Sequence, residues 1–173
     1  MNKYLTIGLF LILTSCGSQK KTKIPCHAWL GGPGKATDSE LKAEFTDLKE
    51  KGIDGLMYSA GRDPEVNRRV AKIAKEAGLE YHAWIPTLTQ NNNPDMKQEW
   101  FAINGIGESA WDKPTYGAGH YHFVCPNRPE VCDYLEQMYS RIADIPEVDG
   151  VHLDFIRFPD VILAKGLWKK YGL

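Results

Sequence analysis

Several features that would place this chain in a common functional class are missing from its sequence. It has no long basic run, and 21 Lys and Arg against 22 Asp and Glu give a formal net charge of -1, so we expect no nucleic-acid partner. The glycine-rich segment 31–34 lacks the Gly-Lys-Ser/Thr ending of a phosphate-binding loop. No Cys-x-x-Cys or Cys/His spacing suits zinc. What remains, 43% apolar and 25% charged residues, is typical of a globular domain.

Cysteine is scarce, with four in 173 residues. Beyond Cys16 the chain has Cys26, Cys125 and Cys132, an odd number, so at most one disulfide can form within the chain. The sequence does not decide which pair would form it. The interpretation that we favour is that all three are small, buried apolar side chains.

The N-terminus predicts an export signal. An apolar run over residues 4–13 follows a short basic start and is too short to span a bilayer comfortably. The segment Leu13-Thr14-Ser15-Cys16 resembles the bacterial lipoprotein box, in which the cysteine is lipidated and becomes the mature N-terminus. We therefore expect a signal peptide over 1–16, a flexible tether over 17–24, and a lipid anchor on Cys16 that attaches the protein to a bacterial membrane in the cell envelope. The alternatives are an ordinary signal peptide or a buried N-terminal helix.

Strands and amphipathic helices alternate along the rest of the chain. The pattern Thr37-Asp38-Ser39-Glu40 fits a capping box, and Asp63-Pro64 fits a second helix start. A third helix follows Pro129. This alternation specifies parallel strands joined by right-handed crossovers. Strands are predicted at 26–30, 53–59, 79–85 and, for the fourth, within 148–158.

Four such units are too few for an eight-unit barrel, which needs about 250 residues. The chain is therefore either a smaller open sheet or the first half of a barrel. We favour the second, an α/β fold of the (β/α)8 TIM-barrel type with residues 25–173 as its N-terminal half. The long connection between the third strand and the third helix, residues 87–127, is rich in aromatic residues and predicted to be functional.

The fourth strand carries the main candidate residues. Apolar Val151, Leu153 and Phe155 alternate with His152 and Asp154. One face of the strand can therefore pack on helices, while the other presents the imidazole and the carboxylate. The C-terminal ends of such strands are where barrel enzymes place their chemistry.

Other polar and aromatic side chains are candidates for a site at the same C-terminal ends of the strands. His82 and Trp84 repeat the pattern of the fourth strand on the third, and Arg157 follows the fourth strand. These residues could bind sugar hydroxyls or ring faces, or Trp84 could be a core aromatic and Arg157 part of an ordinary ion pair. His152 could likewise bind substrate hydroxyls or be a hydrogen-bonded core histidine. Tyr58 is another candidate platform. Further aromatic candidates are Trp100, Trp111 and Tyr116, whereas the pair His120 and His122 is a weak metal signal.

Two segments resemble a known family. Cys125-Pro126-Asn127-Arg128-Pro129-Glu130-Val131 and Val148-Asp149-Gly150-Val151-His152-Leu153-Asp154-Phe155-Ile156-Arg157-Phe158-Pro159-Asp160 are similar to the signature of the family-10-like glycosyl-hydrolase-like barrel proteins, which are related to the alpha-amylase superfamily. The resemblance covers about residues 26–173. It implies that Asp154 occupies the position of the catalytic nucleophile. His152 stands where the amylase-like enzymes have Arg, and their general acid, a Glu on the next strand, has no counterpart here.

The expectation is a glycoside hydrolase that acts on O-glycosidic bonds of a poly- or oligosaccharide. Asp154 would be the nucleophile or stabilising carboxylate, with His152, Arg157 and His82 positioning the substrate and Trp84 as platform. This scheme needs no cofactor and no metal. The alternatives are a carbohydrate-binding surface lipoprotein without turnover and an inactive barrel fragment.

Overall fold

The computed structural model describes residues 23–114, 121–157 and 165–171, with only the backbone described at 167 and 171. The predicted signal peptide and nearly all of the tether, Tyr116, His120, and the segment after Arg157 that includes Pro159 and Asp160 lie outside these residues. The described elements follow in chain order: β1 (His27–Leu30), α1 (Asp38–Glu50), β2 (Gly55–Tyr58), α2 (Pro64–Glu76), β3 (Glu80–Pro86), a 3-10 turn (Gln98–Trp100), α3 (Pro129–Ala143), β4 (Gly150–Asp154) and α4 (Lys165–Tyr171).

The four strands form one parallel sheet in the order β1-β2-β3-β4. Each strand pairs with the next one along the chain, and a helix connects each pair, so the predicted α/β alternation is confirmed. Helix α1 packs against α2, and α2 packs against α3. The helices therefore form a layer on one side of the sheet.

Local sequence determines where the helices begin. The Thr37 hydroxyl accepts a hydrogen bond from the Glu40 N–H at 3.3 Å, and the Glu40 carboxylate accepts one from the Thr37 N–H at 2.7 Å, which completes the predicted capping box. The Asp63 carboxylate caps α2 by accepting from the Glu65 N–H at 2.8 Å, and Pro64 takes the first helical position. Both predicted starts are confirmed.

The core lies between the helix layer and the sheet. Every second residue of each strand points into this core. On β2 and β3 all of these residues are apolar or aromatic, and all are buried. Its polar member is Asn67 of α2, which is buried and accepts a hydrogen bond from the Tyr81 hydroxyl at 2.9 Å. The Asn67 amide donates to the carbonyls of Gly61 and Asp63. The largest fully buried apolar and aromatic members are Tyr81, Phe45, Leu41, Leu56, Leu79, Ile85, Met138, Ile142 and Ile145.

The fourth strand differs from the expectation in two respects. Val151 packs against the core, but Leu153 is 47% exposed, so the predicted burial of that face is incomplete; β4 is the outer strand of the described sheet. The strand also ends at Asp154, and Phe155 has a backbone φ of 51°. The Phe155 side chain therefore does not continue the inward and outward alternation of β4 that the sequence predicted.

Residues between β3 and α3 fold over the C-terminal end of the sheet. Short antiparallel bridges join Thr89 to Phe123 and Phe101 to Val124. Phe101, Phe123 and Val124 are buried, and the Asn93 amide donates to the Tyr134 hydroxyl of α3 at 2.9 Å. The described parts of this segment are thus packed onto the domain.

All three cysteines of the described residues have free thiols, and Cys26 and Cys132 are exposed. The interpretation that they are buried apolar side chains is wrong for these two, because Cys26 precedes β1 and Cys132 lies on the exposed side of α3, and Cys125 is only half-buried. Among the residues that the structure describes, no helix is long and apolar enough to cross a membrane.

Candidate functional site

The side of the sheet opposite the helices presents a row of polar and aromatic side chains. We call it the open face. Strand alternation puts every second residue there, and the ring contacts described below confirm which ones. The open-face residues are His27 and Trp29 of β1, Gly55 and Met57 of β2, Glu80, His82 and Trp84 of β3, and Gly150, His152 and Asp154 of β4.

Asp154 lies at the C-terminal end of β4, and its carboxylate is held by two N–H groups. The indole Nε1 of Trp84 donates to Oδ2 at 3.1 Å, and the backbone N–H of Phe155 donates to Oδ1 at 2.7 Å. The carbonyl of Asp154 accepts from the Thr87 N–H at 2.7 Å. The side chain is half-buried. Two of the residues predicted for this end of the sheet, Trp84 and Asp154, are therefore hydrogen-bonded to each other, and the carboxylate is fixed but accessible.

The residue after Asp154 is conformationally strained. A positive φ is uncommon for a bulky residue, and such outliers concentrate at functional sites. The Phe155 ring packs 5.3 Å from the Tyr121 ring, and the Arg157 guanidinium lies 4.9 Å above it. The Phe155 carbonyl accepts a hydrogen bond from the Leu88 N–H at 3.3 Å. These contacts hold the turn that aims the Phe155 N–H back at the Asp154 carboxylate.

A second tryptophan extends the Asp154 region. The Trp29 ring lies 5.0 Å from the Trp84 ring at 83°, an edge-to-face arrangement. Trp29 is 60% exposed, which is unusual for so large an apolar side chain. We call Trp29, Trp84 and Asp154 the carboxylate site. The site places two aromatic rings beside a fixed carboxylate that can form hydrogen bonds.

Three imidazoles occupy the other end of the open face. The ring centroids of His27 and His82 are 5.2 Å apart, and those of His82 and His152 are 5.3 Å apart. Glu80 Oε2 lies 3.0 Å from His27 Nε2 and 3.6 Å from His82 Nε2. The hydrogen bond from His27, followed by the nearby His82 imidazole, holds the pKa of Glu80 below its usual value. Burial, followed by the neighbouring His82 and His27, lowers the pKa of His152.

Two glycines make room for these rings. A Cβ on Gly55 would lie 2.7 Å from His27 Nε2, and a Cβ on Gly150 would lie 2.6 Å from His82 Nδ1. Each imidazole therefore rests directly on the backbone of a neighbouring strand. This close approach explains why Asp149-Gly150 opens β4. Asp149 itself has a structural role there, because it accepts from the Tyr81 N–H at 2.7 Å and pairs with Lys75.

The open face of the described sheet supplies only one carboxylate near the C-terminal ends of the strands. Asp154 pairs with Pro86 at the end of β3, whereas Glu80 begins β3. Glu80 and Pro86 are six residues apart on β3, so Glu80 lies roughly 20 Å along the strand from the level of Asp154. Glycosidase carboxylates lie about 5–10 Å apart. Glu80 is therefore too far away to be the partner of Asp154.

Tyr58 is not part of this site. Its side chain points to the helix layer, is 2% exposed and packs 5.7 Å from the Phe45 ring of α1. Burial raises the pKa of its hydroxyl to about 12. The prediction ignored strand phase, since Tyr58 lies one residue beyond Met57, which faces the open side.

The remaining predicted residues lie around the segment that covers the sheet end. Arg157 helps to line a mostly apolar cavity of about 210 Å³, together with Leu88, Phe123 and Ile156. Trp111 is 42% exposed and contacts the Phe101 ring. The structure therefore joins Asp154 to Trp84, and His82 to His152, and it places the Arg157 guanidinium over the ring of Phe155, the residue that follows Asp154.

Three open-face residues were not predicted: His27, Trp29 and Glu80. The sequence does contain a signal for the first two, because the tripeptide His-Ala-Trp occurs both at 27–29 and at 82–84. The copies lie at strand positions two strands apart, and their rings meet across β2. Glu80 is two residues before His82, so strand alternation places both on one face.

No protein-family model matches the chain, and a search of curated proteins finds no match. Among solved structures, the chain is similar to a hypothetical protein from Ruminiclostridium thermocellum ATCC 27405, with a TM-score of 0.60 and 16% identity over 80% of this chain and 82% of that one. It is also similar to the noncanonic maltogenic alpha-amylase AmyB from Thermotoga neapolitana, with a TM-score of 0.57 and 12% identity over 85% of this chain. The chain spans 42% of the amylase. At such identities the likeness concerns the fold.

Proposed function

We propose that residues 25–173 are the first four units of a (β/α)-barrel glycoside hydrolase, and that Asp154 is its nucleophile or stabilising carboxylate. The observation that carries the proposal is the carboxylate site. It holds a half-buried carboxylate at the C-terminal end of a parallel strand, oriented by the Trp84 indole and the Phe155 N–H, beside the exposed Trp29 ring.

The sheet supports the barrel part of this proposal. In doubly wound folds the strand order reverses and helices cover both faces. Here the strands follow chain order, and the helix layer covers one face. In a barrel, side chains from alternate strands share an interior layer. His27 with His82, and Trp29 with Trp84, form such pairs from β1 and β3. The fold likeness to an amylase agrees with this arrangement.

The chemistry assigned to Asp154 is attack on, or stabilisation of, the anomeric carbon. The glycosidic C–O bond breaks as a second carboxylic acid gives its proton to the leaving oxygen, and water later replaces the enzyme carboxylate at the anomeric carbon. The proposal assigns that acid to a group outside the described residues. Trp84 fixes the nucleophile through its N–H and, with Trp29, offers an apolar ring face to the sugar. His152 lies two residues before Asp154 on the same face of β4, and the proposal assigns it to binding a substrate hydroxyl.

The test is a substrate panel on the full chain. Poly- and oligosaccharides would be included, with α-glucans among them because of the maltogenic neighbour. Release of reducing ends should be detectable and should fall about 10³-fold or more in Asp154→Asn, because the reacting group is removed. Asp133→Asn, an exposed carboxylate on α3, is the matched control and should retain activity.

A carbohydrate-binding protein without turnover is the second candidate, favoured by the exposed Trp29 and by the single carboxylate at this end of the described sheet. It predicts saturable glycan binding, lost in Trp29→Ala, with no cleavage of any substrate. Absence of both binding and cleavage would contradict the two candidates together. Cleavage that is unchanged in Asp154→Asn would remove this residue from the mechanism.

The lipid anchor on Cys16 is part of the same proposal. Its support is the lipoprotein-box sequence, and it would hold the glycan site at a bacterial membrane in the cell envelope. A polysaccharide-degrading protein benefits from such a location, because its substrate is outside the cytoplasm.

A further inference from the structure

We propose that His27, Glu80 and His82 form a binding site for one divalent transition-metal ion, such as Zn²⁺, that ties β1 to β3 across β2. This site is separate from the carboxylate site and does not depend on the proposed hydrolase activity. No local metal-binding spacing marks this site, because its residues come from two strands separated by about 50 residues of chain.

The three side chains place their ligand atoms at suitable separations. One possible ligand atom from each of the three side chains lies within 4.8 Å of the other two. The Nε2 atoms of His27 and His82 lie 3.0 Å and 3.6 Å from Glu80 Oε2. Ligands on a tetrahedral ion at 2.0–2.1 Å are about 3.4 Å apart. The cluster therefore needs only small side-chain movements to surround an ion.

The His82 ring provides a second, independent observation. Its Nε2 is buried and makes no hydrogen bond with any group that the structure describes, and 3.6 Å to Glu80 is too long for one. A buried ring nitrogen without a hydrogen-bond partner lowers the stability of the folded protein, because the nitrogen has lost its hydrogen bonds to water. A metal ion between His82, His27 and Glu80 would satisfy this nitrogen and share the Glu80 charge between both imidazoles.

The surroundings restrain the ligands and leave one position open. Gly55 and Gly150 let the imidazoles lie against the sheet, where a Cβ would displace them. Glu80 is 54% exposed, so the ion can enter from solvent. Two imidazoles and one carboxylate form a donor set that zinc accepts in three-ligand protein sites, and imidazole favours zinc over magnesium or calcium. The ligands lie at the N-terminal ends of β1 and β3, the end of a barrel that serves stability.

The experiment uses untagged full chain, stripped with EDTA and titrated with Zn²⁺ by calorimetry. Wild type should bind one ion per chain, and Glu80→Gln and His82→Gln should each weaken binding about 100-fold or more, because each removes a ligand. The matched control is His122→Gln, since the His122 Nδ1 already bonds the Ala110 carbonyl at 2.6 Å. Cys26→Ser is the second control because this exposed thiol precedes His27. Both controls should bind as wild type does.

Two further measurements keep the result independent of how well a variant folds. X-ray absorption of the zinc-loaded wild type should show two imidazoles and an oxygen, with no sulfur in the coordination shell. Zn²⁺ should also raise the thermal unfolding midpoint of the wild type but not of Glu80→Gln, an exposed position that should leave the EDTA-treated fold unchanged. The proposal is overturned if the wild type does not bind one ion per chain, if sulfur is among the ligands, or if Glu80→Gln or His82→Gln binds Zn²⁺ as tightly as wild type.

Discussion

Replacing Gly150 by alanine is the sharpest test of how the open face is built. The new Cβ would lie 2.6 Å from His82 Nδ1 and 3.2 Å from its Cε1, closer than real Cβ contacts allow. Both strands are fixed by the β3–β4 ladder, which pairs His82 with Gly150. The imidazole must therefore rotate away, and overpacking of this kind costs about 1–3 kcal/mol.

Part of that cost is offset, because alanine in a strand interior is favoured over glycine by about 0.5–1 kcal/mol. The expected net loss is therefore about 0–2.5 kcal/mol of unfolding free energy. Gly31→Ala is the matched control, since a Cβ there meets nothing within 4 Å and its φ is not positive. It should leave stability unchanged or raise it by up to about 1 kcal/mol.

Urea unfolding of EDTA-treated protein, followed by circular dichroism, measures both variants without a contribution from metal. The double variant Gly150→Ala with His82→Ala separates the proposed clash from other effects, because truncating the ring should abolish the cost of the new methyl group. If Gly150→Ala is as stable as Gly31→Ala, or if its cost persists without the ring, the described packing of His82 on β4 is incorrect.

Two other predictions concern the sheet edge and the N-terminus. Burial opposes ionisation of Asp149, but Lys75 and the Tyr81 N–H outweigh it and hold its pKa below the usual 3.8. Because the folded-state pKa is lowered, the stabilisation is present above pH 3.8 and is lost as the pH falls through the folded value. Asp149→Asn should therefore lose about 1 kcal/mol at neutral pH, after allowance for partial solvent exposure, and the gap to wild type should close in acid; a constant gap would contradict this. Cys16→Ser should move the protein from the membrane fraction to the soluble one in the native host, and a variant that stays with the membrane would exclude the lipid anchor.

The sequence determined those features that depend on neighbours along the chain. The capping residues Thr37 and Asp63 begin α1 and α2 because their side chains reach N–H groups two or three residues ahead. The helix stripe of Val131, Leu135 and Met138 is buried as its spacing predicts. The α/β alternation followed from the same local signals, and strand phase placed His152 and Asp154 on one face.

Only the tertiary structure decided which of these faces and residues meet. The register of β1, β2 and β3 brings His27 to Glu80 and His82, because a small glycine on β2 lets rings approach across it. Tyr58 is buried in the core because the helices cover the side of β2 to which it points. The turn at Phe155 could not be inferred from a sequence that continues to alternate, since packing against Tyr121 and Arg157 holds its positive φ. Local sequence thus selects elements and their phase, whereas long-range strand register creates the sites.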